Sequence, residues 1–343
     1  MELVAAPDVG ILLGAGSDGS VIEGNVIRPG PSAHGVFVGS PDNVIGGTTP
    51  AARNVIGGGN TGIWINTGGA GTLVQGNLIG TDAAGTGANG NSVFGVLVLS
   101  TAAVIGGSSP GAGNVISAND VGVGVGGASA DSVIVQGNRV GTDVTGTTAL
   151  GNASAGVSAT GGMHLRIDGN LISGNPVKGI SIATDSVLVT GNQIGVDAGG
   201  TAALPNGDGV RVETEGGAST IGGTSAEAGN LIAFNADNGV AVTGSGATIL
   251  GNAIHSNGGL GIDLGDDGVT ANDAGDADTG PSGYQNFPTV ALALTGSAEL
   301  EGTFGGTADA MFTLEFFSSD ACDASSAGCK VSICRSSRKT CRT

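Results

Sequence analysis

Short bursts of apolar residues recur along this chain between glycines and polar residues, and two of the bursts return in a fixed order. The first is Gly-Asn-x-Ile, as in Gly76-Asn77-Leu78-Ile79, and the second is Gly-Val-x-Val, as in Gly95-Val96-Leu97-Val98. Marked by its asparagine, the first burst occurs at Asn25, Asn54, Asn77, Asn114, Asn138, Asn170, Asn192, Asn230 and Asn252, nine copies spaced by 22 to 38 residues. The second follows each of them once, at Gly35, Gly62, Gly95, Gly122, Gly156, Gly179, Gly209, Gly239 and Gly261. A further copy at Gly10 precedes Asn25, so the chain starts part-way round a tenth turn. Self-similarity at this period predicts a solenoid.

The glycines decide which kind. With 69 of them spread through the repeats, a helical array would lose about 1 kcal/mol at each helix-interior glycine relative to alanine, so the bursts are strands. A third run completes each turn, as in Val133-Ile134-Val135 and Val187-Leu188-Val189, where first and third side chains share a face. Three strands of four or five residues plus turns fit the shortest period. Stacked turns would pair each strand in parallel with its copy, at roughly 4.8 Å per rung.

The marker asparagines suit a corner between strands, because Asn tolerates the left-handed backbone region. Their amides can also hydrogen-bond from rung to rung as a ladder. The Ile two residues later (Val140 once) forms an inward aliphatic stack. Spacings between markers alternate long and short, which defines a two-rung super-repeat. Long rungs hold two kinds of insertion, a Thr-Asp-x-x-Gly-Thr loop with Asp82 or Asp143, varied to Val-Asp-x-x-Gly-Thr at Asp197, and an Ile-Gly-Gly loop at Ile45, Ile105 or Ile221. Those three aspartates lie two rungs apart, roughly 9.6 Å, too far to share one calcium ion, whose oxygens sit at about 2.3–2.6 Å. Each is expected to accept hydrogen bonds within its own turn.

Candidate chemistry lies at two places. In the Gly-Val-x-Val strands the middle residue points outward, giving the column Leu12, Phe37, Trp64, Leu97, Gly124, Ser158, Ser181, Arg211, Ala241 and Asp263. Its apolar start, Phe37, Trp64 and Leu97, is a candidate binding face, since an exposed aromatic stacks on sugar rings or anchors a protein contact. A covering segment or loop is the alternative. The second place is acidic: Asp263, Asp266, Asp267, Asn272, Asp273, Asp276 and Asp278 could wrap Ca²⁺ with side-chain and backbone oxygens, or form a solvated loop that closes the last rung. Their spacing is not that of an EF-hand.

Composition narrows partners. The net charge of −18 argues against nucleic acid and anionic membranes, which require basic patches. No hydrophobic run reaches membrane-spanning length. The opening Met1-Glu2-Leu3-Val4 is not a signal peptide, and strands begin without a cap, so the expectation is a part of a longer parent chain.

The expected organisation is a β-helix over 1–264, an acidic loop and linker over 265–288, antiparallel sandwich-like strands over 289–321 (Val290 to Leu294, Glu299 to Phe304, Phe312 to Phe317), and a tail over 322–343. That tail holds Cys322, Cys329, Cys334 and Cys341 and five of the eleven basic residues. Its cysteine spacing is not that of paired C-x-x-C zinc knuckles, and it reads as unstructured or non-native, against two disulfides or a metal site.

The repeated Gly-Asn-x-Ile, the Ile-Gly-Thr-Asp-x-x-Gly-Thr loop at Ile79, the Asn-Val-Ile-Ser at Asn114, and the closing Asn272-Asp273 segment with Gln285-Asn286-Phe287-Pro288 resemble right-handed parallel β-helix proteins of the pectin-lyase-like superfamily. The likeness is to large bacterial secreted or surface members in which the helix precedes a β-sandwich. It implies an all-β, right-handed, three-stranded parallel β-helix and an extracellular or cell-surface setting. That superfamily includes polysaccharide lyases, glycoside hydrolases and adhesins. Asp266-Asp267 looks like the paired aspartates of polygalacturonases, in which acids activate water and protonate the leaving oxygen, but the accompanying Gly-His-Gly and Arg-Ile-Lys motifs are absent. His34, His164 and His255 read as isolated. The lyase bases on offer, Arg166 and Arg211, lie on different strands without an identifiable neighbouring acidic cluster. The expected function is therefore a non-catalytic scaffold or adhesin-like segment presenting loops and one face to a carbohydrate or surface protein. The alternative is a lyase or hydrolase acting on acidic polysaccharide through Asp266 and Asp267.

Overall fold

The computed structural model describes residues 2–4, 8–213, 219–225, 227–244, 246–293, 300–314 and 333–334. Each turn of the chain contributes one strand to each of three parallel sheets, which run the length of a right-handed β-helix. The asparagine sheet has ten strands, from Glu2–Val4 through Leu78–Ile79 to Ala253–His255. The face sheet also has ten, from Val9–Leu13 through Thr61–Ile65 to Ile262–Leu264, and the third sheet has nine, from Val21–Ile22 to Thr248–Leu250. Strands are shorter than expected in two sheets, at two or three residues, while most face-sheet strands have five. Turns rather than strands fill most of each rung.

The inward stack is the aliphatic one predicted from the markers. Ile27, Ile56, Ile79, Ile116, Val140, Ile172, Ile194 and Ile232 have no exposed surface, each burial being worth about 1.5–3 kcal/mol. At the corner before them, every marker amide donates to the next. Asn54 Nδ2 donates to Asn77 Oδ1 at 2.9 Å, Asn77 to Asn114 at 3.0 Å and Asn114 to Asn138 at 2.9 Å, and the series runs on to Asn230 and Asn252 at 2.8 Å. The second amide hydrogen goes to a backbone carbonyl, as from Asn77 to Ile45. Each buried amide is thereby satisfied, which avoids the roughly 1–3 kcal/mol of an orphaned polar group.

Two expectations about these corners need correction. At six of the nine corners the left-handed residue is the preceding glycine, with φ +64° at Gly76 and +69° at Gly137, and no asparagine has positive φ among the described residues. A side chain already committed to the ladder gains nothing from the left-handed region that glycine adopts without a Cβ penalty. A second ladder also runs along the corner leading into the face sheet: Asn91 donates to Asn119 at 2.8 Å, and Asn119, Asn152, Asn175, Asn206, Asn235 and Asn257 continue it. This ladder explains the Gly of Gly-Val-x-Val. A Cβ on Gly95 would lie 2.6 Å from the Gly122 carbonyl oxygen and 2.8 Å from Asn119 Nδ2.

The Thr-Asp loops are small hairpins, closed by bridges Thr81–Ala88, Thr142–Ala149 and Val196–Ala203. A hairpin is two backbones thick, so loops on alternate rungs touch across the short rung between them: Val144 N donates to Gly85 O at 2.9 Å and Ala198 N to Gly146 O at 2.8 Å. Asp82 Oδ1 accepts from the N–H groups of Ala84 and Thr86, and Asp197 Oδ1 from Thr201 and Ala202. Asp143 accepts from the Thr145 hydroxyl and the N–H groups of Thr147 and Thr148.

Beyond the helix, Thr289–Ala293 pairs antiparallel with Leu300–Thr303, and Thr313–Leu314 with Ile333–Cys334. The remaining parts of the three expected sandwich-like runs, and the tail over 322–343 apart from the backbone of Ile333 and Cys334, lie outside the described residues. No helix among the described residues is long and apolar enough to cross a membrane.

Candidate functional site

The outer surface of the face sheet carries most of the side chains that could do chemistry. Parallel register places Leu12, Phe37, Trp64, Leu97, Gly124, Ser158, Ser181, Arg211, Ala241 and Asp263 in one column, as the marker spacing predicts. The column is not uniformly open. Leu12 is 63% exposed, whereas Gly124, Ser181, Ala241 and Asp263 are buried. What covers Gly124 is Phe94: a Cβ at Gly124 would sit 2.6 Å from the Phe94 ring, so glycine here makes room for an aromatic.

At the N-terminal half the rings form a continuous strip. Trp64 meets Phe37 edge to face with centroids 5.3 Å apart, and His34 at 4.7 Å, geometries worth about 0.5–1.5 kcal/mol beyond area burial for an aromatic pair. His34 is therefore not isolated. Its strand-opening position packs diagonally onto the outward residue of the next rung, a relation the column alone did not reveal. Burial lowers the His34 pKa from its ordinary value, which keeps the imidazole neutral at pH 7. Its Nδ1 and Trp64 Nε1 are shielded and have no protein partner.

At the C-terminal half the same surface becomes charged. Arg211 lies in an acidic cluster: its Nη1 donates to Asp208 at 2.9 Å, its Nε lies 3.4 Å from Glu213, and its Nη2 donates at 2.5 Å to Oδ2 of Asp266, a neighbour that the sequence did not reveal. Lys178 also pairs with Glu213. Desolvation would lower the guanidinium pKa, but Asp266 and Asp208 outweigh it and hold it above the ordinary value. Asp266 Oδ1 accepts from Asn238 Nδ2 at 3.2 Å, leaving both oxygens of this catalytic candidate engaged. Arg166 pairs with Asp168 at 3.3 Å. His164 pairs with Asp131 at 2.9 Å, and His255 lies 6.0 Å from the Phe234 ring.

The seven residues proposed for calcium do not converge on one point. Asp263 sits under the loop that follows it, 4% exposed, its Oδ2 accepting from Gly268 N at 3.1 Å while its Oδ1 is buried without a partner. Desolvation raises its pKa, reinforced by the charges of Asp266 and Asp267 against the Gly268 hydrogen bond. Asp273, Asp276 and Asp278 form a separate group whose ligand oxygens lie within 4.8 Å of one another. Asn272 is spent on a pair of hydrogen bonds with the Phe287 backbone, and Asn286 bonds the Asp273 backbone twice. Desolvation raises the Asp278 pKa, and Asp273 and Asp276 add to it. Oxygen donors at this spacing suit a hard cation.

No protein-family model matches the sequence, and no curated protein matches it. Among solved structures, the chain is similar to the Dettilon tailspike protein at 13% identity and a TM-score of 0.45, over 76% of this chain and 51% of that one. It is also similar to the alginate lyase from Paenibacillus sp. str. FPU-7, at 14% identity and a TM-score of 0.40, over 76% of this chain and 87% of the other. The chain thus spans about half the length of the tailspike.

Proposed function

We propose that this right-handed β-helix is a rigid extracellular scaffold that binds polysaccharide along the outer surface of its face sheet, without cleaving it. The observation that carries this reading is the strip of His34, Phe37, Trp64 and Phe94 on consecutive rungs, with Leu12 and Leu97 flanking it in the outward column. Rings stacked at the rung spacing, roughly 4.8 Å, offer an extended apolar ledge to the faces of a sugar chain, with amphipathic rings suited to a partly wet contact. The marker asparagine ladder runs through the rungs that carry the ledge and fixes their spacing, so little ordering entropy is spent on binding. Non-catalytic action follows from the pairing of Arg211 with Asp208 and Asp266, which occupies the base and the acid that a lyase or hydrolase would need. Affinity electrophoresis of the wild type and of Trp64→Ala in gels containing neutral polysaccharide tests this. Retardation of the wild type alone is expected, and equal mobility of both in every gel would defeat the reading.

One observation favours the catalytic alternative. Asp263 is a buried carboxyl with a raised pKa and an unpartnered oxygen, the environment in which an acid retains its proton for a leaving oxygen. Asp267 would then be the base. Appearance of reducing ends that Asp263→Asn abolishes would establish this reading in place of the first.

A further inference from the structure

Basic residues are scarce in the solenoid, and two of them have no acidic partner. Ahead of the cysteine-containing tail the chain carries only Arg28, Arg53, Arg139, Arg166, Lys178 and Arg211 against a net charge of −18. Arg166, Lys178 and Arg211 are ion-paired. Arg53 and Arg139 form no ion pair among the described residues, and both line one groove of about 360 Å³, within the ~300–1,000 Å³ range of small-molecule sites. The groove lies on the opposite side of the asparagine ladder from the core, between the Ile-Gly-Gly loop at Ser108 and Ser109 and the hairpin residue Val144.

Register separates the two arginines by three rungs, through Val55, Leu78, Val115 and Arg139, roughly 14 Å along the sheet. Arg53 is held by its Nε donating to the Gly76 carbonyl at 3.0 Å, which leaves its Nη groups for a ligand. The floor between them is backbone at the glycine corners Gly113 and Gly137, where a ligand approaches without meeting side chains. The nearest carboxylate in the hydrogen-bond network, Asp168, is already served by Gln136 at 2.6 Å, Arg166 at 3.3 Å and the Thr190 hydroxyl at 2.8 Å. It therefore leaves the charges of Arg53 and Arg139 uncompensated.

We propose that this groove binds an acidic saccharide through its carboxylate or sulfate substituents, with Arg53 and Arg139 as the two anion-recognising groups. Planar guanidinium forks match carboxylate and sulfate oxygens, and Ser108 and Ser109 add hydroxyl donors. Two arms set on separate rungs favour a ligand with more than one anionic group over a single small ion. In a molecule this negative, a polyanion is repelled from most of the surface, which makes the two uncompensated cations its one focus among the described residues. The choice of a saccharide rests on the glycan-binding reading above; the anion recognition does not.

Calorimetry on the full chain with an oligouronate trimer, the matching neutral trimer, and sodium sulfate tests the assignment. Binding of the oligouronate is expected, with affinity reduced about tenfold in Arg139→Gln and in Arg53→Gln, the scale of one lost charge-assisted contact, and largely restored in Arg139→Lys at low salt. Because the groove lies away from the face sheet, this binding leaves Trp64 fluorescence unchanged. Unaltered oligouronate affinity in both glutamine variants would overturn the proposal, as would an equal loss of neutral-trimer affinity in those variants. Sulfate binding without oligouronate binding would overturn the saccharide assignment. Loss of all Trp64-dependent binding with the arginine-dependent binding intact would defeat the face-sheet reading alone.

Discussion

Trp64 and Phe37, on adjacent rungs of the face sheet, meet edge to face at 5.3 Å on the outside of the molecule. Aromatic pairs of this kind usually line a core, and only 3% of this chain is aromatic, which is why their place on an outer face motivates the binding proposal. Trp64→Ala is expected to abolish neutral-polysaccharide binding while leaving the far-UV circular dichroism of the β-helix unchanged. Its stability cost should be modest, about 1–2 kcal/mol from lost ring contacts, measurable by urea unfolding.

The asparagine ladder makes a sharper stability prediction. Asn114→Ala would strand the N–H and one Nδ2 hydrogen of Asn77 and remove a donor from the Val74 carbonyl, while Asn138 Oδ1 keeps the backbone N–H of residue 114. A loss of about 2–5 kcal/mol is expected from the orphaned groups. Asn25→Ala, at a less buried position on the end of the ladder, should cost about 1 kcal/mol or less. Equal losses at the two sites would show that the ladder does not work as a chain.

How much of this was legible before the fold was known depends on whether a feature repeats in sequence or only in space. The marker ladder, the Ile stack and the outward column all sit at fixed offsets from one motif, and register carried those offsets into three dimensions unchanged. The second ladder escaped because its offset varies: Asn91 precedes Gly95 by four residues, but Asn119 precedes Gly122 by three. Its signal was an Asn three or four residues ahead of each strand glycine from Gly95 onward. The contact of Arg211 with Asp266 spans 55 residues and belongs to the loop that folds back on the last rungs, where no repeat remained to extrapolate. Likewise, hairpin contact across a short rung depends on loop thickness, which a spacing count does not contain.

Strand glycines are constrained by volume. In Gly95→Ala the new methyl would meet the Gly122 carbonyl at 2.6 Å and Ile116 Cγ2 at 2.7 Å, and overpacking of this kind costs about 1–3 kcal/mol. Gly14→Ala, with nothing within 4 Å of the added carbon, should change stability by no more than about 0.5 kcal/mol. Thermal unfolding of both variants checks the contrast.

The hairpin aspartates predict an acid transition. Burial pushes the Asp143 pKa up, yet hydrogen bonds from Thr145, Thr147 and Thr148 outweigh it and hold it below the ordinary 3.8. A carboxylate depressed in the folded state binds protons more weakly there than when unfolded. Its stabilisation is therefore complete above the unfolded value and is lost as pH falls through the folded one. The stability of wild type should decline below about pH 4, and Asp143→Ala should be less stable at pH 7, by about 1 kcal/mol after solvent screening, with the difference vanishing near pH 2. Urea midpoints across that range would show a constant difference if the hydrogen bonds carried no net weight.

The central claim is that the aromatic ledge holds a glycan and leaves it intact, and Trp64 is the single tryptophan of the chain. Its fluorescence should be titrated with neutral and acidic polysaccharides, with and without Ca²⁺, while reducing ends and unsaturated products are followed in the same samples. Saturable change in Trp64 emission with no product is the predicted result. Product formation abolished by Asp266→Asn or Asp267→Asn, or no change in emission with any polysaccharide, would contradict it.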